Sequence, residues 1–399
     1  MSERGSWGAE EPGGGGAGER GSLARATGLP GLCIILCCAL MAVPAAWRFV
    51  FPLAFAAEEF RPALPGYTFS FPRDHYAHED FRTEWWYYTG HLRTQGGEEY
   101  GYQVTFFRSG LAEARANPSR WTGRNLYLAH FALSDRSRKT FRYFERVNRA
   151  AMGQAGAGEK ELRVWVGDWE VSGDGTTQRV KAREGESALD LALIAEKPPV
   201  IHGENGVSRK GAGRGQASHY YSLTRLTTEG TLAVQGKAQP VTGSSWMDHE
   251  FGSATLAPGQ VGWDWFSLQL DDGTELMLYL IRQADGRPDP HSAGTWVDKE
   301  GRASHLRRPD FAIEVLDRWT SPRTKGVYPS KWRLRVPAIG LEATIVPAFP
   351  DQELDTAKST RVIYWEGAVS ATGTIAGRPL RGRGYVEMTG YAAPFRKKL

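Results

Sequence analysis

Beyond about residue 80, apolar and polar positions alternate over short runs closed by glycine turns. The run Trp85-Trp86-Tyr87-Tyr88-Thr89-Gly90-His91-Leu92 is followed by Gly96-Gly97, then by Tyr100-Gly101-Tyr102-Gln103-Val104-Thr105-Phe106-Phe107-Arg108. A period of two around a glycine turn predicts a β-hairpin, with Trp85 and Trp86 on opposite faces. The pattern returns at Trp263-Asp264-Trp265-Phe266-Ser267-Leu268-Gln269-Leu270, turns at Asp271-Asp272-Gly273, and continues through Glu275 to Arg282. Helical periodicity is not evident. Segments 149–160 and 203–217, rich in Gly, Ala and charge, read as loops. The chain is therefore expected to be all-β.

A second pair of segments repeats in the same order. Tyr220-Tyr221-Ser222, a turn at Gly230 and Pro240 to Asp248 are matched by Tyr364-Trp365-Glu366, a turn at Gly373 and Pro379 to Glu387. This alignment pairs Trp246 with Tyr385 and Asp248 with Glu387. Two repeats in one order imply an internal duplication, with related domains over 60–252 and 253–399. Trp86 is expected near the place of Trp265.

The first 57 residues differ. Arg20 and Arg25 precede an apolar stretch, Leu29 to Ala46, and Ala54-Phe55-Ala56 offers small residues before Ala57. This has the form of a signal peptide, 1–57, and implies a periplasmic or secreted protein. A retained N-terminal anchor is the alternative. Cys33, Cys37 and Cys38, the three cysteines of the chain, lie in that stretch. The mature domains would then fold by burial, without disulfides. A net charge of +4 with both signs interspersed gives no reason to expect nucleic acid as a partner.

Candidate chemistry concentrates in Trp246-Met247-Asp248-His249-Glu250. On a strand, Asp248 and Glu250 would share one face and His249 the other. A carboxyl among apolar groups has a raised pKa and becomes a proton donor. Asp248 and His249 are thus the catalytic candidates, against the plainer reading of a polar strand end. Glu84, Trp85, Trp86 and Tyr88 form an aromatic run that could line a ligand cavity or simply pack a core. His130 and Tyr220 sit in apolar strands, where a histidine is as a rule a satisfied core residue. Trp263, Trp265 and, through the duplication, Glu387 complete the ligand-contacting candidates. His75, His78 and Asp80 near Glu84 are a weak hint of a metal. No metal and no cofactor is expected.

The strings Arg82-Thr83-Glu84-Trp85-Trp86-Tyr87-Tyr88-Thr89-Gly90, Trp246 to Gly252 and Gly262-Trp263-Asp264-Trp265-Phe266 resemble the AttH-like / carotenoid 1,2-hydratase family over about residues 67–395. The resemblance implies two tandem lipocalin-like β-barrel domains. It also implies an apolar ligand, lipid or isoprenoid, and in some members a membrane transporter partner. The hydratase branch adds water to a terminal C=C without a cofactor. There Asp248 would be the acid, and tryptophans among Trp85, Trp86, Trp263 and Trp265 would face the cation. Phe251 and the stretch Leu276 to Tyr279, which has no Asp, depart from that branch. Two functions follow: an exported carrier of an apolar ligand, which these departures favour, and a cofactor-free hydratase or hydrolase. A desolvated, cavity-facing Asp248 would favour the enzyme.

Overall fold

The computed structural model describes residues 60–115 and 123–395; the signal-peptide segment lies outside them. The first sheet comprises β1 (Thr83–Thr94), β2 (Glu99–Gly110), β3 (Asn125–Asp135), β4 (Thr140–Arg149), β5 (Ala155–Ala157), β6 (Leu162–Val166), β7 (Trp169–Gly173), β8 (Thr177–Glu184), β9 (Ser187–Ala195), β10 (Val200–Ile201), β11 (Ser208–Arg209), β12 (Ala217–Val234) and β13 (Lys237–Gly252). The second comprises β14 (Gln260–Leu270), β15 (Glu275–Gln283), β16 (Ala293–Val297), β17 (Ala303–Arg307), β18 (Ala312–Thr320), β19 (Val327–Val336), β20 (Leu341–Pro347), β21 (Glu353–Thr356), β22 (Val362–Ile375) and β23 (Arg378–Thr389). Among the described residues, no helix is long and apolar enough to cross a membrane.

The strand orders display the duplication. The first sheet runs β4-β3-β2-β1-β13-β12-β9-β8-β7-β6-β5, and the second runs β17-β16-β15-β14-β23-β22-β20-β19-β18. Each opens with a four-strand meander, closes its last strand against its first, and then descends. The first sheet is a nearly closed barrel and the second a half-barrel. These are two lipocalin-like barrels in tandem, built from antiparallel pairs.

Alternation along each strand divides the side chains between two environments. Trp86, Tyr88 and Leu92 of β1 turn into the first barrel and pack with Tyr102, Val104 and Phe106 of β2. Phe266, Leu268, Trp332 and Trp365 fill the second. The intervening residues of the same strands form a third cluster between the sheets: Tyr87, Tyr220, Trp246, Trp265, Tyr279 and Tyr385. Burying one such ring contributes roughly 1.5–3 kcal/mol, so the junction is itself a core. The sheets approach closely at Gly101, where an added Cβ would stand 2.8 Å from that of Ala368. Glycine is required there for proximity.

The register corrects one expectation. Tyr87 pairs with Asp248, and Trp265 pairs with Glu387. The counterpart of Trp265 is therefore Tyr87, while Trp86 lies one residue out of phase and faces the barrel interior.

Candidate functional site

Three adjacent strands of each sheet bring a matching triplet to the junction. Tyr87, Asp248 and Ser222 are cross-strand neighbours on β1, β13 and β12. Trp265, Glu387 and Glu366 occupy the same places on β14, β23 and β22. The triplets interlock. The Tyr87 hydroxyl donates to Glu366 Oε1 at 2.7 Å. The Tyr87 and Trp265 rings meet edge-on at 5.2 Å. Trp265 Nε1–H donates to the Tyr220 hydroxyl at 3.1 Å.

Asp248 is 4% exposed. Its Oδ2 accepts from the Tyr220 hydroxyl at 2.7 Å, and its Oδ1 accepts from Trp246 Nε1–H at 2.6 Å and from the Ser222 hydroxyl. Ser222 is in turn 2.6 Å from His202 Nε2, whose Nδ1 is 2.8 Å from Thr295 Oγ1. Burial pushes the Asp248 carboxyl up to about 7, against the pull of these hydrogen bonds and with a further push from Glu250. Glu387, which accepts from Trp263 Nε1–H at 2.9 Å, is raised to about 7 by burial and by the charge of Asp248. Glu366 is raised well above the carboxylate range by burial and by Glu387. The two carboxyls are electrostatically coupled and each is poised near neutrality, where a carboxyl can both give and take a proton.

Trp85, Trp263, Glu387 and Lys210 keep partial solvent exposure at the edge of this cluster. Lys210 Nζ lies 3.4 Å from Glu250 Oε1 and 4.0 Å above the Tyr279 ring. Burial disfavours its charge, but Glu250 more than compensates and raises its pKa. The half-exposed edge of the cluster is therefore aromatic and cationic, and its buried part is acidic.

The sequence candidates thus divide. Asp248, Tyr220, Trp85, Trp263, Trp265 and Glu387 come together at the junction. His249, Glu84, Trp86 and Tyr88 do not; they point into the first barrel. Glu84 Oε1 is 2.9 Å from His249 Nε2 and 2.8 Å from His78 Nδ1, while Arg108 Nε donates to Oε2 at 3.0 Å. The Tyr88 hydroxyl donates to Gln178 Oε1, and Trp86 stacks on His249 at 4.8 Å. His130 joins the two sheets elsewhere, 2.7 Å from the Tyr364 hydroxyl and 2.8 Å from Ser359 Oγ.

His78, Glu84 and His249 place three ligand-type atoms within 4.8 Å of one another. They fit a dication poorly, because the guanidinium of Arg108 already pairs with the carboxylate. Burial alone would raise Glu84; Arg108 and the two histidines instead hold it well below the usual range. Burial opposes the charge of His78, and Asp74 and Glu84 overcome that. The group is a charge-compensated ion network. Asp80 lies outside it, paired with Arg61 at the surface, and His75 bonds the Tyr221 hydroxyl at 2.7 Å.

Ser222, His202, Tyr87, Glu366 and Lys210 were not among the sequence candidates. The duplication carried a usable signal for two of them, since it aligns Ser222 beside Asp248 with Glu366 beside Glu387. His202 and Lys210 come from loop segments whose approach no strand pattern encodes.

The family model for AttH-like proteins matches residues 62–391. A crystal structure of an AttH candidate from Nitrosomonas europaea is 38% identical and superposes with a TM-score of 0.76, covering 83% of this chain and 99% of that one. Kievitone hydratase from Nectria haematococca is 16% identical, with a TM-score of 0.64 over 84% of this chain and 98% of that one, a likeness of fold. A search of curated proteins finds no match.

Proposed function

We propose that this chain, which belongs to the AttH-like family, is a cofactor-free hydro-lyase that adds water to a carbon–carbon double bond of an apolar substrate held at the junction of its barrels. The observation that carries this reading is the address of Asp248: a desolvated carboxyl with a pKa of about 7, packed among aromatic rings and electrostatically coupled to a second carboxyl at about 7. A protein that only carries a ligand has no use for such a pair. Family membership and fold do not by themselves assign a reaction, so the argument rests on these residues.

Protonated Asp248 donates its proton to one alkene carbon, and its electron pair stays on the carboxylate. The faces of Trp265, Trp85 and Trp263 oppose the carbocation that forms at the other carbon. Water adds there as its proton passes to the Glu387 carboxylate. Transfer of that proton back to Asp248 restores the pair. The same proposal includes export by segment 1–57, an apolar lipid or isoprenoid as substrate, and exchange of that lipid with a membrane transporter.

The test is turnover of acyclic isoprenoids in ¹⁸O-labelled water, read by mass spectrometry as gain of one labelled water. The rate should peak near pH 7 and fall on both sides. Asp248→Asn is nearly isosteric and should cost at least about 100-fold in rate, with ligand affinity kept. Wild-type turnover in Asp248→Asn would overturn the assignment, as would a lack of labelled product across the substrate class.

A further inference from the structure

Close to the acid pair, on the same junction, three fully buried polar side chains have an atom with nothing to bind. Glu366 Oε2, Thr89 Oγ1 and Gln103 Oε1 lack a hydrogen-bond partner, and each residue is at most 1% exposed. An orphaned buried group of this kind is destabilising, so three on facing surfaces point to a missing occupant. Their placement is convergent. Thr89 and Gln103 are cross-strand partners on β1 and β2, and their side chains stand on the face turned to the second sheet. On β22, Tyr364, Glu366 and Ala368 alternate on one face. Tyr364 reaches Gln103, and Ala368 abuts Gly101, two residues from Gln103. Glu366 lies between those two contacts and is aimed at the patch that carries Thr89 and Gln103. Tyr87 holds its other oxygen.

We infer that Glu366, Thr89 and Gln103 enclose a binding cell for a single hydroxyl oxygen: a water in the free protein, and the alcohol oxygen of a bound ligand. The donor and acceptor count selects that group. Burial keeps Glu366 protonated, and because Oε1 accepts from Tyr87, the free oxygen Oε2 carries the proton and donates. Thr89 can donate or accept. The Gln103 carbonyl only accepts. A carbonyl or ether oxygen would satisfy the Glu366 and Thr89 donors but leave Gln103 Oε1 orphaned. A hydroxyl supplies the missing proton, and a water meets all three partners, the usual number for a buried water. The binding preference stands on this placement of unpaired atoms together with a protonated Glu366. Its use in turnover, as the seat of the water consumed and of the alcohol formed, rests on the hydro-lyase reading.

The test compares two ligands of one skeleton, farnesol and its aldehyde farnesal, by quenching of tryptophan fluorescence in the full protein. Farnesol should bind at least tenfold more tightly. Gln103→Leu should bring the ratio to within about twofold, and Gln103→Met, closer in shape, serves if Gln103→Leu does not fold; Thr89→Val removes a donor that both ligands use and should weaken both while the preference persists. A high-resolution crystal structure of the ligand-free protein should place a water within hydrogen-bonding distance of all three residues. Equal affinities in the wild type, or side chains paired directly with one another and no water, would overturn the cell. Asp248→Asn should leave the farnesol preference intact. A failed acid pair and a failed oxygen cell therefore give different results.

Discussion

Consecutive residues of β13 carry opposite electrostatics. His249 points into the first barrel, toward a carboxylate, Glu84, that is completely buried. Asp248 points out of it and is itself a buried carboxylic acid. Both carboxyls pay desolvation, yet Glu84 is held well below the usual range and Asp248 rises to about 7. The difference is the partner. Glu84 has the guanidinium of Arg108 at 3.0 Å and two histidines, whereas Asp248 is hydrogen-bonded by neutral donors, and Lys210, whose charge reaches it, is paired with Glu250 instead. Burial with a directly bonded cation gives a fixed ion pair, and burial without one gives a titratable acid. The interior network stabilises the barrel, and the junction retains a proton to use.

The largest effect should come from breaking the interior pair. Arg108→Met leaves Glu84 buried without its cation and should destabilise the protein by about 3–5 kcal/mol at pH 7, measured by urea unfolding. A loss below about 1 kcal/mol would mean that the histidines alone compensate Glu84, and the contrast between the two faces would lose its basis.

Next is the pH dependence, which should have opposite signs at the two sites. The Asp248 pKa is raised by folding, so its stabilising contribution is complete below about pH 4 and is lost as pH rises through about 7. Between pH 5.5 and 8 that loss is about 2 kcal/mol. Glu84 is depressed, so its contribution is present above its ordinary pKa of 4.5 and is lost on acidification. Unfolding free energies followed from pH 2 to 8 should flatten on the alkaline side in Asp248→Asn and on the acid side, below pH 4.5, in Glu84→Gln. An unchanged alkaline slope in Asp248→Asn would remove Asp248 as the titrating group.

The contrast was half legible in the sequence. Period-two alternation is enough to separate Asp248 from His249 and Trp85 from Trp86, because successive strand side chains must face opposite ways. The duplication is likewise visible in the turns and aromatic pairs, although the phase of one pair was off by one residue, since Trp85-Trp86 and Trp263-Asp264-Trp265 can be matched in two registers. What local pattern cannot supply is which face meets which. Arg108 and Glu84 are 24 residues apart and meet only because β1 and β2 pair in one register. The second sheet brings Glu366 to Tyr87, 279 residues away. The same strings that suggested one aromatic pocket at Glu84, Trp86 and Asp248 are in fact split between a barrel core and the junction outside it.

The smallest effect tests whether the two halves of the junction act as one site. The charge of Asp248 contributes to the raised pKa of Glu387, after burial, which is the larger cause. Asp248→Asn removes a negative charge that repels the Glu387 carboxylate, so ionisation of Glu387 becomes easier and its pKa should fall from about 7. The fall should be only a fraction of a unit, because burial remains and because Glu387 keeps contact with solvent. Carbon-13 NMR of labelled glutamate carboxyls reads this shift directly. Glu387→Gln should by the same argument move Asp248 in the same direction, since a coupling between two titrations is reciprocal. No movement in either variant would leave two independent buried acids, one in each half of the duplication. A mutual shift would show that the two carboxyls titrate as one coupled pair across the interface between the halves, a coupling that neither barrel has alone.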